Sequence, residues 1–476
     1  MPPASPEIIS SPSAMTSEDV RKNIWRNSVS NYVFIILRMG LGLIMFRMLY
    51  QGMDPEEFGF WSLLWSVFGF GIILDFGFGF TAVKRVAELS VQQKWDDLSR
   101  VLSTIFYLYL AIGALIVGTV LIGSHQLIEL FQIANPANKE PFRQVLVFFF
   151  CGMGVIFPFG IFPEILIGQQ RISLTNILFS AGLLANFICL AAAIHFQWGM
   201  KSYVTIALIF GFLPCLASAV CALRGLPQVR IWPQLFSWSM VRDTLRFSIF
   251  AYISSLSGII LAKTDQLVLG TALAVSAVTI YQAGAKIGEM FTAFAQQLPD
   301  TFSPAAAHLN ATGDREFLRK LLINGTRFSV MIATPVYFIA AFFMEGILKI
   351  ITGAKAPTLQ TLHVAEVLLL WGYMCLVTQS VTRRIFMMCG HEKKLTLLTL
   401  AEALLNLGLS LGLVLYYKNV LCVALGSLIA TLIFGWLFIW PWAAREAQIS
   451  GWQLTRIVLF PTWLACLPLL AVATFC

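Results

Sequence analysis

Charge is what this 476-residue chain has least of: Asp, Glu, Lys and Arg make up 12% of it against 58% hydrophobic residues, and mean hydropathy is +0.79. A soluble globular protein is about a quarter charged, so that class is excluded. The five histidines, His125, His195, His308, His363 and His391, stand singly without HExxH or HxxxH spacing, which argues against a metal site. No GxxxxGK[ST] segment supplies an ATP-driven engine, and no G-x-S-x-G elbow supplies a serine nucleophile. The nine cysteines lack CxxC spacing and lie almost all in apolar segments, where Cys packs as a small hydrophobe. The first twenty residues have no apolar h-region, so they do not read as a cleaved signal peptide.

What the chain has instead is apolar length. Thirteen stretches, at 29–51, 58–83, 101–123, 144–168, 173–195, 202–223, 246–270, 275–300, 328–349, 361–382, 396–416, 420–440 and 457–476, are each long enough to cross a bilayer as a helix. Hydrocarbon offers the backbone no partners, so these stretches must be helical. The connections between them are short, the longest on the outer side being Gly123 to Pro141, and leave no room for a soluble domain. The expected fold class is therefore an all-α polytopic membrane protein.

The net charge of +8 is topological. With the N-terminus inside, 22 Lys and Arg fall in cytoplasmic segments and 6 on the other side, and Arg38, Arg47, Lys263 and Lys286 remain within helices. No nucleic-acid partner is implied. The expected organisation is a disordered cytoplasmic tail at 1–28, a six-helix lobe at 29–223, an amphipathic interfacial linker at 224–245, a second six-helix lobe at 246–440, and a loop with a thirteenth helix at 441–476. In the linker, Trp232, Phe236 and Trp238 alternate with basic residues, which suits a helix lying at the cytoplasmic interface. The odd count places Cys476 outside.

A shift of 220 residues lays Asn31-Tyr32 on Ala251-Tyr252, and Asp96-x-Leu98-x-Arg100-x-Leu102 on Glu316-x-Leu318-x-Lys320-x-Leu322. An even number of helices separates the copies, so the two repeats run parallel, related by an axis along the membrane normal. That is a transporter architecture, with a pathway expected where the halves meet.

Charges inside the membrane are costly and persist only where protein or water surrounds them. Arg38, Lys286 and Lys263 are the candidates for a cationic, substrate-binding cavity. Asp75, Asp265 and Glu289 are the candidates for pairing with those cations or for coupling to H+ or Na+. Arg38 and Asp75 stand at similar depth on helices 1 and 2 and can pair. Lys286 and Glu289, three residues apart, can meet on one helical face. Glu164, Glu366 and Glu402 are further intramembrane carboxylates. Arg47, near the outer end of its helix, suits snorkelling, which is also the alternative for Lys263.

The stretches Asp75-Phe-Gly-Phe-Gly…Val83-Lys84-Arg85-Val86-Ala87-Glu88, Asp265-Gln-Leu-Val-Leu-Gly270…Tyr281-Gln-Ala-Gly-Ala-Lys286 and Ser303-Pro304…Leu309-Asn-Ala-Thr-Gly-Asp314, in this order and spacing, resemble the Wzx-type O-antigen and polysaccharide flippases of the multidrug/oligosaccharidyl-lipid/polysaccharide (MOP) exporter superfamily. The resemblance runs over helices 1 to 12. It implies two six-helix lobes in a V-shaped, MATE-like bundle. The implied task is flipping an undecaprenyl-diphosphate-linked oligosaccharide from inner to outer leaflet, without catalysis, for surface polysaccharide or lipopolysaccharide synthesis.

The resemblance also implies a bacterial inner-membrane location, cavity cations at Arg38 and Lys286 that hold the diphosphate, and pathway partners among glycan polymerases and glycosyltransferases. No cofactor is expected. The alternatives are a cation-coupled multidrug exporter of the same superfamily and a membrane glycan polymerase or ligase. Thirteen spans depart from the twelve or fourteen common in such proteins.

Overall fold

The structure, a computed structural model, describes residues 17–301, 306, 315–353 and 357–466. Among these residues it is built from helices, with no strand. The first half comprises α1 (Ser17–Gly52), α2 (Pro55–Gly71), α3 (Phe78–Val91), α4 (Trp95–Leu130), α5 (Lys139–Ile156), α6 (Ile161–Gly168), α7 (Ile172–His195) and α8 (Met200–Gly225). The second comprises α9 (Trp238–Ala272), α10 (Val275–Thr301), α11 (Arg315–Phe342), α12 (Met344–Thr352), α13 (Leu359–Cys375), α14 (Val381–Met388), α15 (Glu392–Tyr417), α16 (Leu421–Phe434), α17 (Trp440–Glu446) and α18 (Gly451–Val458).

Nine helical stretches among the described residues are long and apolar enough to cross a membrane. The second, seventh and eighth spans of the sequence reading are also helices, as α2–α3, α9 and α10. They carry Asp75, Lys263, Asp265, Lys286 and Glu289.

Helix ends recur at the 220-residue offset: Gly52 and Ala272, Pro55 and Val275, Trp95 and Arg315, Lys139 and Leu359, Gly168 and Met388, Ile172 and Glu392. So does a break. Pro158, which has no N–H to donate, interrupts α5–α6 with a 3-10 turn at Phe157–Gly160. In the second half a π turn at Leu376–Ser380 separates α13 from α14 at the matching place. The loop charges recur but these charges of the bundle do not: at the same offset Arg38 corresponds to Gly258, Glu402 to Gly182 and Arg383 to Pro163.

Three expectations are corrected. Helix α1 begins at Ser17, so 17–28 is helical and not a disordered tail; residues 1–16 lie outside the described part. The 224–245 linker is not a helix lying across the interface. Chain 226–237 is irregular apart from one turn at Pro233–Leu235, and α9 starts at Trp238 and runs unbroken. The strap is tied to α4 by hydroxyls: Arg230 N–H donates to Ser99 Oγ, Trp232 N–H to Ser103 Oγ and Ser237 N–H to Thr104 Oγ1, each at 3.1 Å. α4 runs on to Leu130, so the connection after Gly123 is mostly helix. Of the thirteenth span, 457–458 close α18, 460–466 are helical again after a turn residue at Leu459, and the remaining residues lie outside the described part.

Buried apolar residues form three cores: one from 78–241, one from 287–459, and a third that joins the halves from Leu49 to Ala424. The halves close on each other at the end of the bundle that carries Pro55. Gly59 and Gly270 permit it: a Cβ on Gly59 would collide with the Val275 carbonyl, and one on Gly270 would lie within 2.8 Å of Leu63. Thr279 donates to the Pro55 carbonyl. The Gln132 backbone bridges the α9–α10 turn, donating to Gly270 at 2.9 Å and accepting from Val275 at 3.1 Å. Arg47 caps the end of α12 through the Ile350 carbonyl at 3.1 Å, where cations are favoured.

Candidate functional site

Where α1 and α2 meet α9 and α10, basic side chains of the second half reach onto the first. The Lys286 ammonium stands 5.6 Å from the centroid of the Phe46 ring on α1, and 3.4 Å from Glu289 one turn along α10. About a quarter of the Lys286 side chain is exposed (26%) and about half that of Glu289 (49%). Lys263 lays its methylenes along Gly69 of α2, 3.2–3.6 Å from where a Cβ would be, so a larger residue at 69 would displace it. Ser66 donates to the Lys263 carbonyl at 2.8 Å, fixing α9 against α2. Arg38 is exposed on α1, eight residues from Phe46, hence about 12 Å along the helix and roughly a quarter turn round it.

Arg38 does not pair with Asp75. The Asp75 carboxylate accepts from the Tyr109 hydroxyl of α4 and, at 3.2 Å, from the Gly79 N–H of α3. Glu164 of α6 borders the same spot, its Cγ 3.5 Å from a Cβ built on Gly79. Matching depth on straight helices suggested the pairing, but the helix is not straight here. It tightens into a 3-10 turn at Ile72–Asp75 and then passes Phe76 (φ 50) and Gly77 (φ 78), which turns Asp75 toward α4 and α6. Asp75 holds the restart of its own helix.

Asp265 is buried in the second half, 5% exposed. Its Oδ2 accepts from the Tyr281 hydroxyl and, at 3.1 Å, from Ser427. Ser427 also lies 3.1 Å from Asn406 Oδ1, and Ser410 stands between that oxygen (3.0 Å) and the Val423 carbonyl (3.3 Å). Each hydroxyl has one hydrogen to give, so acceptors outnumber donors. Asp265 Oδ1 has no partner among the described residues.

A cation held by several partners within the bundle is one that hydropathy placed elsewhere. Arg383, assigned to a cytoplasmic connection because the tenth span ended at 382, lies on α14 and meets Glu402 of α15 at 2.5 Å. It also donates to Gln379 Oε1 at 2.8 Å and to Thr399. Glu402 is held further by Gln379 and Thr431, both at 3.1 Å, and Trp371 donates to Thr431 at 2.9 Å. This cluster forms one wall of a cavity of about 500 Å³ whose lining includes Leu261 of α9 and Thr292 of α10. One clue was present in the sequence: an intramembrane Glu without a partner, and an Arg just past the span end on the preceding antiparallel helix. The arginine stem makes up the difference in depth.

A family model for polysaccharide biosynthesis proteins matches residues 44–356. No curated protein matches the sequence. Among solved structures, the chain is similar to an inward-facing multidrug resistance MATE family transporter of the MOP superfamily, with TM-score 0.71, 17% identity, and 87% of this chain and 94% of that one covered. It is also similar to the lipid II flippase MurJ in an inward closed conformation, with TM-score 0.69, 15% identity and coverages of 91% and 90%. A MOP superfamily transporter from Pyrococcus furiosus Vc1, described by a reversed polarity of its binding pocket, gives TM-score 0.61, 16% identity and coverages of 92% and 96%. Identities this low establish the fold, which is the MATE-like fold expected from sequence.

Proposed function

Because this chain belongs to the polysaccharide biosynthesis protein family, we propose that it flips a lipid-linked oligosaccharide, carried on undecaprenyl diphosphate, from the inner to the outer leaflet of the bacterial cytoplasmic membrane by alternating access. The observation that carries the reading is the placement of two basic side chains where the halves meet, Lys286 against Phe46 and Lys263 against Gly69, with Arg38 exposed further along α1. A diphosphate is the part of such a substrate that a cation recognises, and a site between two halves is where alternating access needs it. The lobes are 29–223 and 246–440, the N-terminus is cytoplasmic, and the Pro55 end, where the halves are clasped, faces outward. No catalytic step is assigned, and glycan polymerases and glycosyltransferases of the same pathway are the natural partners.

Asp265 is the coupling candidate. An acceptor-rich, buried cluster with one unpartnered carboxylate oxygen supports occupancy by a proton or Na+. Asp75, held by Tyr109 in the other half, is better suited to helix positioning.

The test is transport in liposomes. A fluorescent polyprenyl-diphosphate glycan should become accessible to a quencher in the opposite leaflet, at a rate that depends on an imposed H+ or Na+ gradient. Export of cationic drugs with no movement of the glycan would replace this reading with the multidrug one.

A further inference from the structure

At the opposite end of the bundle, outside the junction, a small cavity of about 50 Å³ opens between α11, α14 and α17. Arg315 and Arg319, one helical turn apart, line it together with His391, Glu446 and Cys389. Its apolar floor includes Leu318, Leu322 and Phe386. Neither arginine makes an ion pair within 4 Å among the described residues, and Glu446 is held by the Trp442 indole at 3.3 Å instead. The cavity wall is packed: Phe386 and His391 lie on Trp442 with ring centroids at 4.3 and 5.3 Å, and the Lys394 ammonium covers Trp442 at 3.7 Å. Burial pushes the Cys389 thiol up while Arg315 draws it down and Glu446 raises it, so both charges act on the same small space.

We infer that this pocket binds the phosphate of an anionic glycerophospholipid headgroup, such as that of phosphatidylglycerol. Three features point there. At roughly 10–15 Å³ per water, the cavity takes only a few waters, which suits one phosphate and excludes a sugar chain. Two guanidiniums form the forked donor set that fits phosphate oxygens, and against one carboxylate they leave the pocket positive. Glu446 supplies an acceptor, which a headgroup glycerol hydroxyl satisfies and a quaternary ammonium does not.

The surroundings favour a lipid over a free anion. Phe317, Phe328, Met331 and Ile332 are exposed on α11, which places acyl chains along the same helix that begins at Arg315. Basic pockets between transmembrane helices at the cytoplasmic face are suited to such headgroups. The consequence is mechanical: α14 presents Ile385 and Phe386 to this pocket and Arg383 to the large cavity on its other side. A bound headgroup would therefore brace the helix that carries Arg383.

Cys389 is the built-in reporter. Its alkylation rate, followed by mass spectrometry on the full chain, should fall about tenfold in phosphatidylglycerol vesicles when lipid exceeds its dissociation constant about tenfold. Phosphatidylcholine vesicles should leave the rate unchanged. The ratio of the two rates is the readout, because Arg315 also affects the thiol directly. In R315Q/R319Q the ratio should return to one. If that variant folds poorly, R319Q serves as the second: it keeps Arg315, the arginine that acts on the thiol, and should bring the ratio close to one, whereas full protection in R319Q would overturn the proposal. Equal rates in the two lipids, or protection that survives R315Q/R319Q, would overturn the proposal. Equal protection by inorganic phosphate in phosphatidylcholine vesicles would overturn the lipid assignment in favour of a free anion.

Discussion

Arg383 and Glu402 meet at 2.5 Å across α14 and α15, with only 3% of the glutamate side chain exposed. Removing one partner of a buried pair leaves the other charge uncompensated, at a cost of about 3–5 kcal/mol. Glu402→Ala should therefore lower the thermal unfolding midpoint of the detergent-solubilised protein clearly. Replacing both, as Arg383→Met with Glu402→Leu, should restore most of it. If the double variant is as unstable as the single ones combined, the pair does not act as a unit.

Asp265 leads to a different expectation, since its role is proposed to lie in coupling. Asp265→Asn keeps the shape and the hydrogen bonds from Tyr281 and Ser427 to the side chain. Protein levels should stay near normal, while glycan movement in liposomes should lose its dependence on the ion gradient. A variant that transports with unchanged gradient dependence would make Asp265 architectural.

The helical, membrane-spanning character of the chain was legible because it follows from composition and run length alone, and the intramembrane charges were legible for the same reason. Azimuth was not. Arg38 and Asp75 share a depth, yet the 3-10 turn at Ile72–Asp75 rotates the aspartate to Tyr109, and no periodicity argument on an ideal helix contains that rotation. Arg383 was lost differently: a hydropathy window ends where charge begins, so an arginine that reaches back into the bundle is counted with the loop. The strap at 226–237 carried the aromatic and basic pattern of an interfacial helix. Its backbone is instead held by Ser99, Ser103 and Thr104 of α4, a tertiary partner that local sequence does not reveal.

Gly59 is a point where the halves approach closely at the Pro55 end. A side chain there meets the Val275 carbonyl, which is backbone and cannot rotate away. Gly59→Val should hold the halves apart at that end, at a cost of about 1–3 kcal/mol typical of overpacking. The check is a cysteine at Ser66, which is fully buried on α2. In the Gly59→Val background it should become reactive to an impermeant thiol reagent added outside the cell. Reactivity only from the cytoplasmic side would reverse the proposed orientation.

Lys286 tests the substrate reading most directly. Its pairing with Glu289 at 3.4 Å is partly exposed, and such pairs are worth only about 0–1 kcal/mol, so an incoming anion can replace the glutamate at little cost. A hydrogen bond to a charged group contributes about 1.5–3 kcal/mol, which corresponds to roughly 10- to 150-fold in affinity. Lys286→Ala should weaken binding of a polyprenyl-diphosphate glycan by that order, and Glu289→Gln should leave it equal or tighter. Arg38→Ala should act in the same direction as Lys286→Ala. In cells, both alanine variants should lose surface glycan at near-normal protein levels. Surface glycan that survives both would remove the cationic site at the junction from the mechanism, whatever the fold.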